Sequence, residues 1–118
     1  MAVQHYSGGC QCGAVRYEVD VDLDRTAVCN CSRCGKLGSI FAFAPASAFS
    51  LSSGDGRTTE YLFNTGKIHH LFCTTCGIES YALGTAPDGT QTVAVNARCL
   101  DGVDPKSLHP MEHDGASR

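Results

Sequence analysis

The chain has 118 residues with a net charge of −3 and 42 % apolar residues, and its nine Lys and Arg are scattered along it. Scattered basic residues argue against a nucleic-acid or anionic-membrane surface, which needs clustered positive charge. No stretch approaches the roughly 20 apolar residues of a membrane span, and the first residues lack the basic start and apolar core of a secretion signal. We therefore expect one cytoplasmic domain over residues 1–118 that binds neither nucleic acid nor membrane.

Short strands are predicted along most of the chain. Apolar residues at 15, 17, 19 and 21 alternate with charged ones, which is the period-two pattern of a half-buried strand. Further strands are predicted at 26–28, 40–44, 59–63, 68–72, 78–83 and 91–97, with one helical turn within 32–38. Turn residues occur at 50–57, 64–67 and 87–89. This spacing predicts a mainly β sandwich with a core over about 7–104 and a polar tail over about 105–118.

Seven of the eight cysteines fall into three tight clusters. The clusters are Cys10-Gln11-Cys12, Cys29-Asn30-Cys31-Ser32-Arg33-Cys34 and Cys73-Thr74-Thr75-Cys76. Disulfides are rare in the cytosol, where clustered cysteines more often bind metal. Neighbours in Cys-x-Cys are poorly placed to form a disulfide with each other, whereas both can bind one ion. A disulfide framework is the alternative interpretation of the same cysteines.

The first and third clusters together supply four ligands for a structural zinc ion. Each pair is followed by a glycine, Gly13 or Gly77, and glycine permits the positive φ that a metal-binding turn often requires. Zinc with four protein thiolates stabilises a fold and has no free position. We therefore assign Cys10, Cys12, Cys73 and Cys76 to one zinc ion, a pairing that leaves the central cluster intact but that spacing alone does not prove.

The central cluster supplies only three ligands, Cys29, Cys31 and Cys34. A zinc ion with three protein ligands keeps a position for a reacting molecule, and coordination to a metal deprotonates a thiol. The cluster therefore favours chemistry on a thiol. A fourth protein ligand would make this second site structural as well, and the candidates are Cys99, His69, His70 and His5. Iron is an alternative to zinc, because tetrahedral sulfur suits both metals.

Several residues near the clusters have two interpretations. Arg33 and Lys36 flank the central cluster. They either bind a carboxylate of a substrate or are simply solvated, and we favour solvation for such lone charges. Adjacent strand residues point to opposite faces, so at most one of His69 and His70 faces a given site, and we favour surface positions for them. For Cys99 we favour a small buried residue over a metal ligand.

Four segments together resemble the glutathione-dependent formaldehyde-activating enzyme family, which also contains centromere protein V. They are Gly-Gly-Cys-Gln-Cys-Gly-Ala-Val-Arg-Tyr-Glu-Val, Cys-Asn-Cys-Ser-Arg-Cys, Phe-Cys-Thr-Thr-Cys-Gly and Val-Ala-Val-Asn-Ala-Arg-Cys-Leu-Asp-Gly, and the resemblance covers about residues 7–104. It implies a sandwich of the Mss4-like, or β-tent, type. It also implies a structural zinc at Cys10, Cys12, Cys73 and Cys76, and a second zinc, regarded as the active site, at Cys29, Cys31 and Cys34.

The activity that the resemblance implies is the formation of S-hydroxymethylglutathione from glutathione and formaldehyde, a carbon–sulfur lyase reaction run in reverse. Our first hypothesis is accordingly an enzyme with two zinc ions per chain, the second site being partly occupied, that acts on a small thiol and a small carbonyl as a monomer or homodimer. The second hypothesis is a non-catalytic zinc-binding module or thiol carrier with two zinc sites. The third is redox sensing through the thiols of the central cluster.

Overall fold

The regular structure of the protein consists mainly of two β-sheets. The computed structural model describes residues 3–62 and 68–114. Within these ranges the first sheet has three antiparallel strands in the order β1 (Gln4–Gly9), β2 (Arg16–Val21) and β5 (Phe49–Ser53). Across the same ranges the second sheet has seven strands, in the order β10 (Met111–His113), β3 (Thr26–Cys29), β4 (Phe41–Pro45), β9 (Gln91–Asn96), β8 (Tyr81–Thr85), β7 (His69–Cys73) and β6 (Thr58–Tyr61). The prediction of a mainly β fold of short strands is confirmed.

The alternation predicted for 15–21 builds the core side of the first sheet. Tyr17, Val19 and Val21 of β2 are buried, whereas Glu18 and Asp20 between them are exposed. The buried side chains belong to one apolar cluster that also contains residues of the second sheet, including Ala42, Ala44, Tyr81, Val93 and Val95. The two sheets are therefore joined by burial of one face of each.

Tyr17 is the largest fully buried side chain in the described part of the chain. Its ring packs against Phe49 at 5.0 Å and Tyr81 at 5.8 Å between ring centroids. Its hydroxyl donates a hydrogen bond to the backbone carbonyl of Ser80, with an O–O distance of 2.9 Å. This carbonyl lies just before β8 and also accepts from the backbone amide of Asn96 at 2.9 Å. A side chain of the first sheet thus supplies one of its two donors.

The first sheet contains two features that the sequence does not predict. One is β1, whose residues are mostly polar and end in Gly8 and Gly9. A Cβ at Gly8 would lie 2.8 Å from the carbonyl oxygen of Cys99, and one at Gly9 would lie 2.1 Å from that of Val15. These glycines therefore mark close backbone approach inside a strand. The other is β5, which extends to Ser53 and shortens the turn predicted over 50–57.

Part of the predicted polar tail forms structure. Pro105–Ser107 is a 3₁₀ turn, and Met111–His113 is β10, which pairs in parallel with β3. All three residues of β10 are exposed, so no apolar pattern signals this strand. It is held by main-chain hydrogen bonds, and just beyond β3 the amide of Asn30 donates to the carbonyl of His113 at 3.2 Å.

The helical turn predicted within 32–38 is confirmed as α1 (Cys34–Leu37). It ends at Gly38, which has the left-handed φ of 75° that glycine adopts without strain. Of the helices in the described part of the chain, none has the length and apolar character needed to cross a membrane. The turn predicted over 64–67 lies outside the described residues.

We predict that Tyr17→Phe lowers the free energy of unfolding by about 1 kcal/mol, because the buried carbonyl of Ser80 loses one of its two donors and keeps the amide of Asn96. Urea denaturation of the metal-loaded protein measures this change. Tyr6→Phe is the matched control, since the Tyr6 hydroxyl bonds to Gln4 in an exposed position and its loss costs little. Equal losses in the two variants would contradict the role given to the Tyr17 hydroxyl.

Candidate metal centres

The first candidate centre, here called the four-cysteine group, consists of Cys10, Cys12, Cys73 and Cys76. Cys10 and Cys12 lie in the connection between β1 and β2 of the first sheet. Cys73 ends β7 and Cys76 lies in the turn before β8, both in the second sheet. The four sulfur atoms all lie within 4.8 Å of one another. The fold thus brings together residues about 60 positions apart, in the pairing that we assign from the sequence.

Both turns of the four-cysteine group have the geometry of metal-binding turns. The amide of Val15 donates to the Cys10 sulfur at 3.3 Å, and the amide of Thr75 donates to the Cys73 sulfur at 3.3 Å. The glycine after each pair has a positive φ, 85° at Gly13 and 79° at Gly77. The sequence prediction that these glycines permit the turn is confirmed. Amides aimed at sulfur stabilise the thiolate, which is the form that binds a metal.

Thiols packed this closely cannot all ionise unless a cation compensates their charge. The amides of Cys76 and Thr75 lower the pKa of Cys73 to about 6. The pKa of Cys12 is raised to about 11, because the lowering effect of the Ala14 amide is outweighed by burial and by the other thiols of the group. One thiol of the group therefore ionises readily, and its negative charge disfavours ionisation of the next thiol. Four sulfurs in this arrangement fit a divalent ion such as zinc.

The second candidate centre, here called the three-cysteine group, consists of Cys29, Cys31 and Cys34. Cys29 ends β3, Cys31 lies in the following loop and Cys34 is the first residue of α1. Their sulfur atoms lie within 4.8 Å of one another. The amide of Cys31 donates to the Cys29 sulfur at 3.4 Å, and the amide of Cys34 donates to the Cys31 sulfur at 3.3 Å. The same amide-to-sulfur pattern thus recurs in a continuous segment of six residues.

Two thiols of the three-cysteine group are shifted in opposite directions. Burial alone would raise the pKa of Cys31, but the amides of Cys34 and Arg33 and the neighbouring thiols lower it overall. The pKa of Cys34 is raised to about 12 by burial, by the hydrogen bond and charge of Cys31, and by the charges of Cys29 and Glu79. As in the four-cysteine group, further ionisation needs a bound cation. Three thiolate donors also fit zinc or iron.

Among the described residues, the three-cysteine group has no fourth member that could hold the same ion. The residues outside the described ranges contain neither cysteine nor histidine. Each histidine candidate has a carboxylate partner instead: His5 contacts Glu18 and Asp20, His69 contacts Glu60, and His70 contacts Glu79.

Cys99 belongs to neither group within the described part of the chain. Its side chain is partly buried, and burial raises its pKa to about 11, with smaller contributions from the charges of Cys10, Cys76 and Glu79. Two of these three charges belong to the four-cysteine group, so Cys99 lies on that side of the core. An unionised thiol in this position is consistent with the packing role that its sequence context favours.

A buried ion-pair network lies beside the three-cysteine group. The side chain of Glu79 is 1 % exposed. Its Oε1 accepts hydrogen bonds from Arg33 Nε at 3.1 Å and from Nη2 at 2.6 Å, and its Oε2 lies 3.1 Å from Nδ1 of His70. The Arg33 guanidinium also lies over the ring of Tyr61, 4.6 Å from its centroid. The network joins the cysteine segment to β6, to β7 and to the residues just before β8.

The structure corrects two expectations about this network. Arg33 is not a simply solvated charge, since it is bonded to Glu79 and its side chain is 22 % exposed. His70 is not a surface residue, being 4 % exposed, whereas His69 on the opposite face of β7 is half-exposed. Lys36 is exposed on α1 as expected. The sequence does not point to Glu79, because it is a single acidic residue in a mostly apolar run.

The fold and the two cysteine groups define a small β protein with two sites that can hold metal ions. A family model described as glutathione-dependent formaldehyde-activating enzyme matches residues 5–115. The chain therefore belongs to the glutathione-dependent formaldehyde-activating enzyme family, as its motifs indicate. It is also similar to a crystal structure of a Rhodobacter sphaeroides protein, at 33 % sequence identity and a TM-score of 0.80 over 90 % of this chain and 97 % of the other.

We predict different consequences for loss of a cysteine from the two groups. Cys73→Ala should lose about one equivalent of zinc and the cooperative unfolding transition, because an ion bound there would join the two sheets and supply about 10 kcal/mol or more. Cys31→Ala should also lose about one equivalent but remain folded, because its group lies within one segment. Elemental analysis and thermal unfolding followed by circular dichroism measure the two effects.

Cys99→Ala is the matched control for these variants and should retain the zinc content of the unmodified chain. Loss of an equivalent in this control would make Cys99 a ligand. Unfolding of Cys31→Ala as complete as that of Cys73→Ala would refute the division between the two groups.

Proposed function

We propose that this protein is a zinc-dependent enzyme of the carbon–sulfur lyase type. Its substrates are a small thiol of the glutathione type and a small carbonyl compound such as formaldehyde. The family match supports glutathione-dependent formaldehyde activation as the general activity. Proteins of this family bind zinc, and both cysteine groups have donor sets that suit this metal. The four-cysteine group is the structural site in this proposal, and the three-cysteine group is the active site.

The reaction forms one carbon–sulfur bond and breaks one carbonyl π bond. The thiol sulfur supplies an electron pair to the carbonyl carbon, so a carbon–sulfur bond forms while the π bond of the carbonyl breaks. The carbonyl oxygen receives the proton that the thiol gives up, and the product is an S-hydroxymethyl thioether. The reverse direction breaks the carbon–sulfur bond and returns thiol and carbonyl. No oxidant or reductant is needed in either direction.

The observation that carries the proposal is the unequal number of donors in the two groups. The described residues give one group four sulfurs and the other three. A zinc ion held by Cys29, Cys31 and Cys34 would have one position for the substrate thiol and would favour its deprotonated form. Cys29 and Cys31 are only partly buried, which supports access from solvent.

The chain's own residues have two further roles in this proposal. Hydrogen bonds from the backbone amides hold two of the three sulfurs in place, since Cys31 and Cys34 each donate to the sulfur of the preceding ligand. Arg33 and Lys36 follow the second and third ligands. Lys36 brings positive charge to the site, while the charge of Arg33 is balanced by Glu79. The charge of Lys36 favours thiols with an anionic group, because it offsets the net negative charge of three thiolates and one divalent ion.

The activity is tested by exchange NMR on glutathione and ¹³C-formaldehyde at equilibrium with S-hydroxymethylglutathione. We predict that the zinc-loaded protein increases the exchange rate in proportion to its concentration, above the uncatalysed rate. Cys31→Ala should lose the increase, because the three-cysteine group no longer holds its ion. An unchanged exchange rate with the unmodified protein would refute the enzymatic proposal.

X-ray absorption distinguishes the enzyme from the non-catalytic module. Four sulfur ligands at one ion, and three sulfurs plus one light atom at the other, are expected for the enzyme. Four protein sulfurs at both ions would support the module, which then has two structural sites. Thiol binding without exchange in the NMR experiment would instead support a carrier of small thiols.

A further inference from the structure

Glu79 is a buried carboxylate for which the reaction chemistry gives no direct role. Both of its oxygens are used, Oε1 by Arg33 and Oε2 by His70, and its backbone carbonyl accepts from Asn96 Nδ2 at 3.2 Å. Burying a carboxylate is costly, and a buried ion pair is often no better for stability than apolar residues of the same volume. Support of the fold alone therefore does not account for the network.

The network fixes the direction of the Arg33 side chain. Two nitrogens, Nε and Nη2, bond to the same oxygen of Glu79, at 3.1 and 2.6 Å. The face of the guanidinium is covered by Tyr61, 4.6 Å from the ring centroid. A planar group held along one edge and covered on one face has little freedom to rotate. Glu79 and Tyr61 thus hold Arg33 in one orientation.

One edge of the held guanidinium is available to a ligand. Within the described residues, Nη1 of Arg33 has no hydrogen-bond partner, and the side chain is 22 % exposed. Arg33 stands between Cys31 and Cys34 in the chain, so its side chain begins within the segment that forms the three-cysteine group. The free edge therefore belongs to a side chain of that segment.

We propose that Glu79 is a positioning residue that holds Arg33 so that the Nη1 edge binds the carboxylate of a thiol located at the three-cysteine group. The preferred substrates are then low-molecular-weight thiols that carry a carboxylate, because a guanidinium recognises this group by charge-assisted hydrogen bonds. This inference rests on the proposed function, in which the three-cysteine group binds a thiol.

Two probe thiols of equal length test the inference by isothermal titration calorimetry on the zinc-loaded full chain. They are 3-mercaptopropionate, which has a carboxylate, and 3-mercaptopropionamide, which is neutral. The unmodified protein should bind the carboxylate thiol about tenfold more tightly, the ratio that one charge-assisted hydrogen bond produces. Arg33→Met should reduce this ratio to about one and change the affinity for the neutral thiol by less than about twofold.

Variants of Glu79 separate positioning from stability. Glu79→Gln keeps the shape of the side chain but weakens the hold on Arg33, so the ratio should fall to about three. Arg33→Met leaves the Glu79 carboxylate without its guanidinium partner, and this variant risks unfolding. The double variant Arg33→Met with Glu79→Gln removes that buried charge and should show the ratio of Arg33→Met. Arg98→Met is the matched control, because Arg98 is exposed, and should keep the tenfold ratio.

Four results would overturn the inference. The first is an equal loss of affinity for both thiols in Arg33→Met and in the double variant, which would limit the network to support of the fold. The second is a ratio that falls in Lys36→Met and persists in Arg33→Met, which would place the carboxylate on α1. The third is binding of both thiols equally by the unmodified protein, which contradicts this inference but leaves the proposed function standing. Binding of neither thiol would refute both.

Discussion

The four-cysteine group is the interaction on which the rest of the molecule depends. It draws one pair of ligands from the β1–β2 connection and the other from the β7–β8 turn, so an ion bound there ties the two sheets together at their ends. The core between the sheets consists mainly of small side chains, with valine and alanine prominent and no tryptophan. A domain of this size with a modest core gains much of its stability from such a link.

The two cysteine groups differ in what they hold together. The four-cysteine group joins residues distant in the chain, whereas the three-cysteine group lies within six consecutive positions between β3 and α1. Loss of an ion from a local site removes little of the tertiary structure, because the segment is also anchored by two strands of the second sheet. In the proposed function, this difference would allow one centre to exchange ligands while the other maintains the fold.

The buried network connects the local site to the rest of the protein. Glu79 lies just before β8, and its partners come from the cysteine segment and from β7. The next residue, Ser80, accepts the hydrogen bond of Tyr17 from the first sheet. The side chains near the three-cysteine group are therefore held by residues from both sheets, which limits their movement when a ligand binds.

The sequence by itself determined the cysteine groups, the core strands and the family. Metal-binding turns are local, so Cys-x-Cys and Cys-x-x-Cys followed by glycine can be recognised without knowledge of the fold. The alternation of β2 follows directly from burial on one face. Strands with no apolar alternation, β1 and β10, were not predicted, because pairing of main-chain groups alone defines them. The pairing of Glu79 with Arg33 joins residues 46 positions apart in the chain, and His70 is buried against the same carboxylate. Only the tertiary structure decides such contacts, because the charge of a side chain says nothing about which distant partner will neutralise it.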